Sequence, residues 1–173
     1  RLLTRFATCA YPELNSVVGS ALEEIAKFLG GDVADILLLS DDGKSWEPMY
    51  SWDSSKNMRP VHSARSIQFG TLHWTENKIM KGLPIRINTL DDYPAEAAAD
   101  RKFGEEEGIQ SILSVPIKGK SQSVVGTIDI ASYTRQIKWN DSDITYLRLM
   151  GDALTNLLER KRAEENLIEA YNT

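Results

Sequence analysis

Gly108-Ile109-Gln110-Ser111-Ile112-Leu113-Ser114-Val115-Pro116-Ile117, followed by Val124-Val125-Gly126-Thr127-Ile128-Asp129-Ile130-Ala131-Ser132 and then Trp139-Asn140-Asp141-Ser142-Asp143-Ile144, decides the fold. Ser111 to Ile117 and Ser123 to Ser132 are short apolar runs bounded by turn residues, so each is predicted to be a strand. The Gly119-Lys120-Ser121 turn between them is short enough to make the pair antiparallel. In the second run Val124, Gly126, Ile128 and Ile130 fall on one face, with Thr127 and Asp129 on the other. Asn140 then reads as a helix cap, with Asp143 at the third position in capping-box style. The helix it opens carries one apolar stripe: Ile144, Leu147, Met150, Leu154, Leu157 and Leu158.

Upstream, Leu14, Val17, Val18, Ala21, Leu22, Ile25 and Leu29 recur at helical spacing. Pro12 suits the first turn and Gly30-Gly31 stops the helix. Leu2, Leu3 and Phe6 suggest a helical lead-in over residues 1–10, with Cys9 in it as a small apolar side chain. Asp32 to Ser40 is predicted to be a buried strand, Asp41-Asp42-Gly43 a hairpin turn, and Trp46 to Trp52 the returning strand. Pro48 lacks an amide hydrogen and places that strand at a sheet edge. The middle, residues 53–110, is less regular. It holds a short strand at Ser66-Ile67-Gln68-Phe69, a helix from Leu72 to Met80, a strand at Pro84-Ile85-Arg86-Ile87-Asn88 and a polar helix from Ala95 to Glu107. Sequential hairpins favour an antiparallel sheet, with the first and last helices sharing one of its faces.

Beyond Leu158 the apolar pattern thins. Arg160/Glu164 and Lys161/Glu165 are spaced to pair along a helix surface. Such a helix has little to bury alone, so residues 159–173 are expected to be a linker or coiled-coil helix seeking a partner, most simply its own copy.

The bulk numbers narrow the function classes. The chain has 173 residues, 42% hydrophobic and 26% charged, which suits one globular domain. A net charge of −5 disfavours a nucleic-acid surface. No apolar run approaches the ~18–20 residues of a membrane span. The single cysteine rules out an intrachain disulfide and any Cys-rich zinc site, and a cytoplasmic setting is expected. The chain does not begin with Met, so it is expected to be a piece of something longer.

Catalytic patterns are poor. His62 and His73 are the only histidines and match no metal-binding spacing. Gly119-Lys120-Ser121 lacks the earlier glycine of a phosphate loop and precedes a strand, so it is a turn. No nucleophile–base arrangement is suggested, and the chain is expected not to be an enzyme. No metal or cofactor is expected.

The quoted stretches closely resemble the C-terminal half of GAF domains. The helix through Leu29, the Asp35–Leu39 strand and Gly82-Leu83-Pro84-Ile85 fall in the matching order, so the resemblance covers about residues 10 to 160. It implies an α/β (α+β) fold: a six-stranded antiparallel sheet with terminal helices on one face and a ligand-pocket segment on the other. It divides the chain into a lead-in (1–10), a sensory domain (11–158) and a linker helix (159–173). It further implies a regulatory module that senses a small molecule, dimerises through its terminal helices and governs an output domain in the same chain, such as a histidine kinase of a two-component system. A ligand-free dimerisation and relay module is the alternative. Bilin-binding members attach pigment through a pocket cysteine, and the middle region has none. Cyclic-nucleotide-binding members carry an Asn-Lys…Phe…Asp-Glu signature where this chain has Ala131-Ser132, Trp139 and Asp143-Ile144. The resemblance places the pocket between sheet and middle segment and nominates Trp52, Asp53, Trp74, Tyr93, Arg101, Phe103 and Ser111 as ligand-binding. Arg86 or Arg101 could pair with an anionic group.

Overall fold

The computed structural model describes residues 2–3, 5, 13–54 and 66–173. Cys9, Pro12, Phe6 and His62 lie outside the described residues, as does most of the expected lead-in. Its described members Leu2, Leu3 and Arg5 are helical, and Leu2 packs on the core.

Helix α1 (Leu14–Leu29) ends at Gly30, whose left-handed backbone (φ 79°) returns its amide to the last carbonyls of the helix. Strands β1 (Val33–Leu39) and β2 (Ser45–Asp53) form the expected hairpin, and β3 (Ile67–Gln68) follows. Then come α2 (His73–Met80), β4 (Ile85–Ile87), two 3-10 turns at Leu90–Asp92 and Ala95–Ala97, and α3 (Ala98–Glu107). Strands β5 (Ser111–Lys118) and β6 (Val124–Ser132) lead to α4 (Asp141–Asn172), one unbroken helix. Its capping box forms as the sequence predicts: the Asn140 side chain accepts from the Asp143 amide at 2.9 Å and the Asp143 carboxylate from the Asn140 amide at 2.9 Å.

The six strands make one antiparallel sheet in the order β3-β2-β1-β6-β5-β4. β1 and β6 sit at its centre although far apart in sequence. Their close approach needs Gly126, since a Cβ there would lie 2.2 Å from the Leu37 carbonyl oxygen.

One face of the sheet carries the main core. Ala34, Ile36, Leu113, Val115, Ile128 and Ile130 meet Leu22 and Ile25 of α1 and Leu147, Leu154 and Leu157 of α4. Each Val, Leu or Ile among them contributes roughly 1.5–3 kcal/mol of burial free energy. The other face holds a smaller cluster: Trp46, Ile79, Ile85, Ile87 and Val124.

Three sequence expectations are corrected here. β2 is not an edge strand by order, because β3 lies outside it; but β3 pairs only with Ser45 and Trp46, and Pro48 sits opposite Leu37 beside an irregularity in the β1–β2 register. Val124 does not share a face with Gly126, Ile128 and Ile130. The register shifts between Ile117 and Lys118, so Val124 turns to the smaller cluster and Val125 to the main core. On α4, Lys161 reaches Glu164 at 3.1 Å and not Glu165.

Candidate functional site

Strand alternation gives the second sheet face its chemistry. On β1, Ile36 faces the helices, so Asp35 and Leu37 face away; on β6, Ile128 and Ile130 face the helices, so Thr127, Asp129 and Ala131 face away. On β5 the same rule turns Ile112 and Ser114 outward from the core. Helices α2 and α3 and the 3-10 turns cover this face and leave a cavity of about 120 Å³ between cover and sheet.

Its floor is a polar row. Ser114 of β5 stands opposite Asp129 of β6, which stands opposite Asp35 of β1. Thr127 Oγ1 donates to Asp129 Oδ2 at 3.2 Å. The walls are apolar and aromatic: Ile79, Ile85, Trp46, Tyr93, Phe103 and Tyr133 all line it.

Two further carboxylates in the lining hold the cover in place. Asp100 of α3 accepts from the Thr75 amide at 2.9 Å, capping α2, whose own cap residue Leu72 offers no side-chain bond. A carboxylate at that position also meets the positive end of the helix dipole. Glu76 accepts from Trp46 Nε1 at 3.2 Å and from the Gly70 amide at 2.8 Å, joining α2 to β2 and to the turn after β3. Burial pushes the Tyr93 phenol up from its ordinary pKa, and the charges of Asp100 and Asp129 push the same way.

The structure brings two of the seven nominated residues, Tyr93 and Phe103, to the cavity. Trp74 stands behind Tyr93, edge to face at 5.7 Å, with Lys78 Nζ 5.0 Å from its ring centre. Arg101 is on the outer side of α3, paired with Asp91 at 2.8 Å and Glu105 at 3.0 Å. Trp52 packs on the helix side of the sheet with Lys27 Nζ 6.0 Å from its ring centre, and Asp53 ends β2 opposite Val33. Ser111, alternating with Leu113, is fully buried toward the α4 side, where its hydroxyl donates to the Asn88 carbonyl at 2.6 Å and accepts from the Ile137 amide at 2.7 Å. Sequence reasoning missed Asp35, Glu76, Asp100 and Ser114. For Asp35 the available signal was a charged residue inside an apolar strand, between Ala34 and Ile36 of the core; Glu76 and Asp100 lie on helices and Ser114 is uncharged, so no such signal marked them.

Among the described residues no group of three or more His, Cys, Asp or Glu side chains is arranged to hold a metal, and no helix is long and apolar enough to cross a membrane.

A central antiparallel sheet with terminal helices on one face and a helix-covered cavity on the other defines a class of α/β sensory module, and the family model for the GAF domain matches residues 13–158. The chain belongs to the GAF domain family. No curated protein matches the sequence. Among solved structures, the far-red-absorbing dark state of JSC1_58120g3 with bound biliverdin IXa superposes with a TM-score of 0.76 at 11% identity, covering 94% of this chain and 97% of that one. A domain of a protein assigned as a two-component sensor histidine kinase in Sinorhizobium meliloti 1021 gives a TM-score of 0.68 at 20% identity over 87% and 94% of the two chains. The blue-light-absorbing form of the Thermosynechococcus elongatus PixJ GAF domain gives 0.72 at 12% identity over 92% of each.

Proposed function

We propose that this domain is a regulatory, non-catalytic sensor that takes a small molecule into the cavity under the sheet. It would relay occupancy through α4 to an output module of the same chain, such as a histidine kinase, in the cytoplasm. The observation that carries this reading is the tie between the cavity wall and the start of α4. Ile85 of β4 lines the cavity, and the next residue, Arg86, pairs with Asp141 in the first turn of α4 at 2.8 Å. Just beyond β4, Asn88 accepts from the Trp139 amide through its side chain at 2.9 Å and from Ser111 through its carbonyl, while Ser111 holds Ile137. A shift of β4 against a ligand therefore acts on the segment that caps α4.

The photoreceptor neighbour holds biliverdin, whereas the cavity here is small. Its volume of about 120 Å³ falls below the ~300–1,000 Å³ of usual drug-sized ligand sites.

A thermal-shift screen of small metabolites tests the reading, since a ligand selective for the folded state must raise the melting temperature. A hit is expected to change amide exchange in residues 137–145 as well as in the cavity walls. A hit that leaves 137–145 unchanged would defeat the relay. A screen without hits would favour the ligand-free dimerisation and relay module, for which the exposed apolar side chains at the end of α4 also speak.

A further inference from the structure

The turn between β5 and β6 is less simple than a hairpin requires. The register shifts between Ile117 and Lys118, and irregularities of this kind re-aim a side chain and concentrate beside functional sites. Gln122 holds a left-handed backbone (φ 63°), the one non-glycine residue with positive φ among the described residues. Such a conformation persists only where its surroundings fix it. Gly119 is buried, and a Cβ there would stand 3.0 Å from Val125 Cγ1 and 3.7 Å from Glu159 Oε1. The turn backbone and the side of α4 are therefore close neighbours.

Helix α4 is pressed onto the sheet just before this point. A Cβ on Gly151 would lie 3.0 Å from Ile128 Cγ2 and 3.6 Å from Ile117 Cγ1. From Asp152 onward, helix and turn enclose a cleft of about 280 Å³, near the ~300 Å³ at which usual small-ligand sites begin. No residue lines both this cleft and the cavity under the sheet. Its two walls carry opposite charges. The turn contributes Lys118 and Lys120 with the amide of Gln122; the helix contributes Asp152 and Glu159 with the amide of Asn156. The three helix residues are four and three apart, which sets them on one face of α4. None of these six side chains makes a hydrogen bond or an ion pair among the described residues.

We infer that this cleft is a second ligand site and takes a small zwitterion on the scale of a free amino acid. Its anionic group lies against Lys118 and Lys120, and its ammonium donates to Asp152 and Glu159. A guest of one sign meets a like-charged wall whichever way it enters, whereas a guest of both signs complements both walls. The lining holds no aromatic and no aliphatic residue, so the body between the charges is short. The site is independent of the cavity under the sheet and stands whether or not that cavity senses anything. Its occupant joins the β5–β6 turn to α4 just before the helix leaves the main core.

Three probes of one shape and different charge test it on the full chain: 4-aminobutanoate, butanoate and butylamine, followed by calorimetry and by the amide shifts of residues 118–123 and 152–159. 4-Aminobutanoate, which carries both charges near neutral pH, is expected to bind at least about tenfold more tightly than either of the others. Glu159→Gln is expected to weaken the zwitterion at least about fivefold while butanoate binds more tightly than to wild type. Lys120→Gln, on the opposite wall, is expected to weaken the zwitterion equally while butylamine gains. Asp152→Asn provides the helix-side comparison if the Glu159→Gln variant does not fold. Butanoate or butylamine binding as tightly as 4-aminobutanoate overturns the zwitterion assignment. Binding whose amide shifts fall in the walls of the cavity under the sheet, or no binding of any of the three at millimolar concentration, overturns the site itself.

Discussion

Asp32 is one residue, and it fastens the two ends of the central strands. Its Oδ2 accepts from the Tyr133 and Thr134 amides at 2.8 and 3.1 Å and from the Thr134 and Ser132 hydroxyls at 2.9 and 3.2 Å. Partial burial alone would raise this carboxyl; the four donors outweigh it and hold the group below its ordinary value. Because Tyr133 lines the cavity, the clamp also sets one cavity wall. Asp32→Ala is expected to cost about 1–2 kcal/mol near neutral pH, at the low end for charged hydrogen bonds because the group is partly solvated. The sign with pH follows from the depressed value. The contribution is complete above the unfolded carboxylate pKa of about 4 and fades as pH falls through the lower folded value. Urea titrations of wild type and Asp32→Asn should therefore converge as pH falls through the depressed folded value; a gap that stays constant with pH would show that the carboxylate charge contributes nothing. At this scale the sequence showed Asp129 on the face away from the core, but only the register between β1 and β6, strands far apart in the chain, sets Asp35 beside it. Trp52 and Ser111 looked like pocket residues because the resemblance set them near the ligand; alternation with Tyr50 and Leu113 turns both to the helix side.

Elements explain why most of the fold was readable and part of the site was not. Helices α1 and α4, the β1–β2 and β5–β6 hairpins and the Asn140 cap follow from periodicity and turn chemistry, which are local. The bulge at Val125 and the position of β3 outside β2 depend on pairing, which no local pattern encodes. Coupling also lives at this scale. Ser111 bridges Asn88 after β4 and Ile137 before α4, so Ser111→Ala removes a hydroxyl that serves both elements with little change in volume. The expected result is a stability loss of about 1–3 kcal/mol, because the Ile137 amide loses its acceptor. Affinity for a cavity ligand should stay within about threefold, since the hydroxyl does not face the cavity. The ligand's effect on amide exchange in the first turn of α4 should shrink. If Ser111→Ala instead abolishes binding and leaves that exchange response intact, Ser111 belongs to the ligand site and the tie through Asn88 is not the route.

For the whole molecule, α4 is the element that outruns the domain. At 1.5 Å per residue its 32 residues span about 48 Å. Two rows with seven-residue spacing run along it: Leu147, Leu154, Lys161 and Ile168, and Met150, Leu157, Glu164 and Tyr171. The first members of both rows are buried on the sheet. Lys161, only 4% exposed, pairs with Glu164 where the rows leave it. Beyond that point Leu167, Ile168 and Tyr171 are 71%, 60% and 91% exposed. A seam that begins as core and continues at heptad spacing with exposed apolar side chains suits a parallel two-stranded coiled coil with a second copy. The ion pair at Lys161 then sits where a polar residue in such a seam fixes register. Truncation after Leu158 should leave the domain folded, because the main core of the sheet and helices ends there, and should weaken self-association by at least about tenfold. Ile168→Ser with Tyr171→Ser in the full chain should do the same without shortening the helix. Sedimentation velocity over a range of concentrations reads both. A full chain that stays monomeric at high concentration, or a truncated chain that dimerises as well as the full one, would place the partner surface elsewhere. The relay from the cavity would then have to reach its output through a single helix.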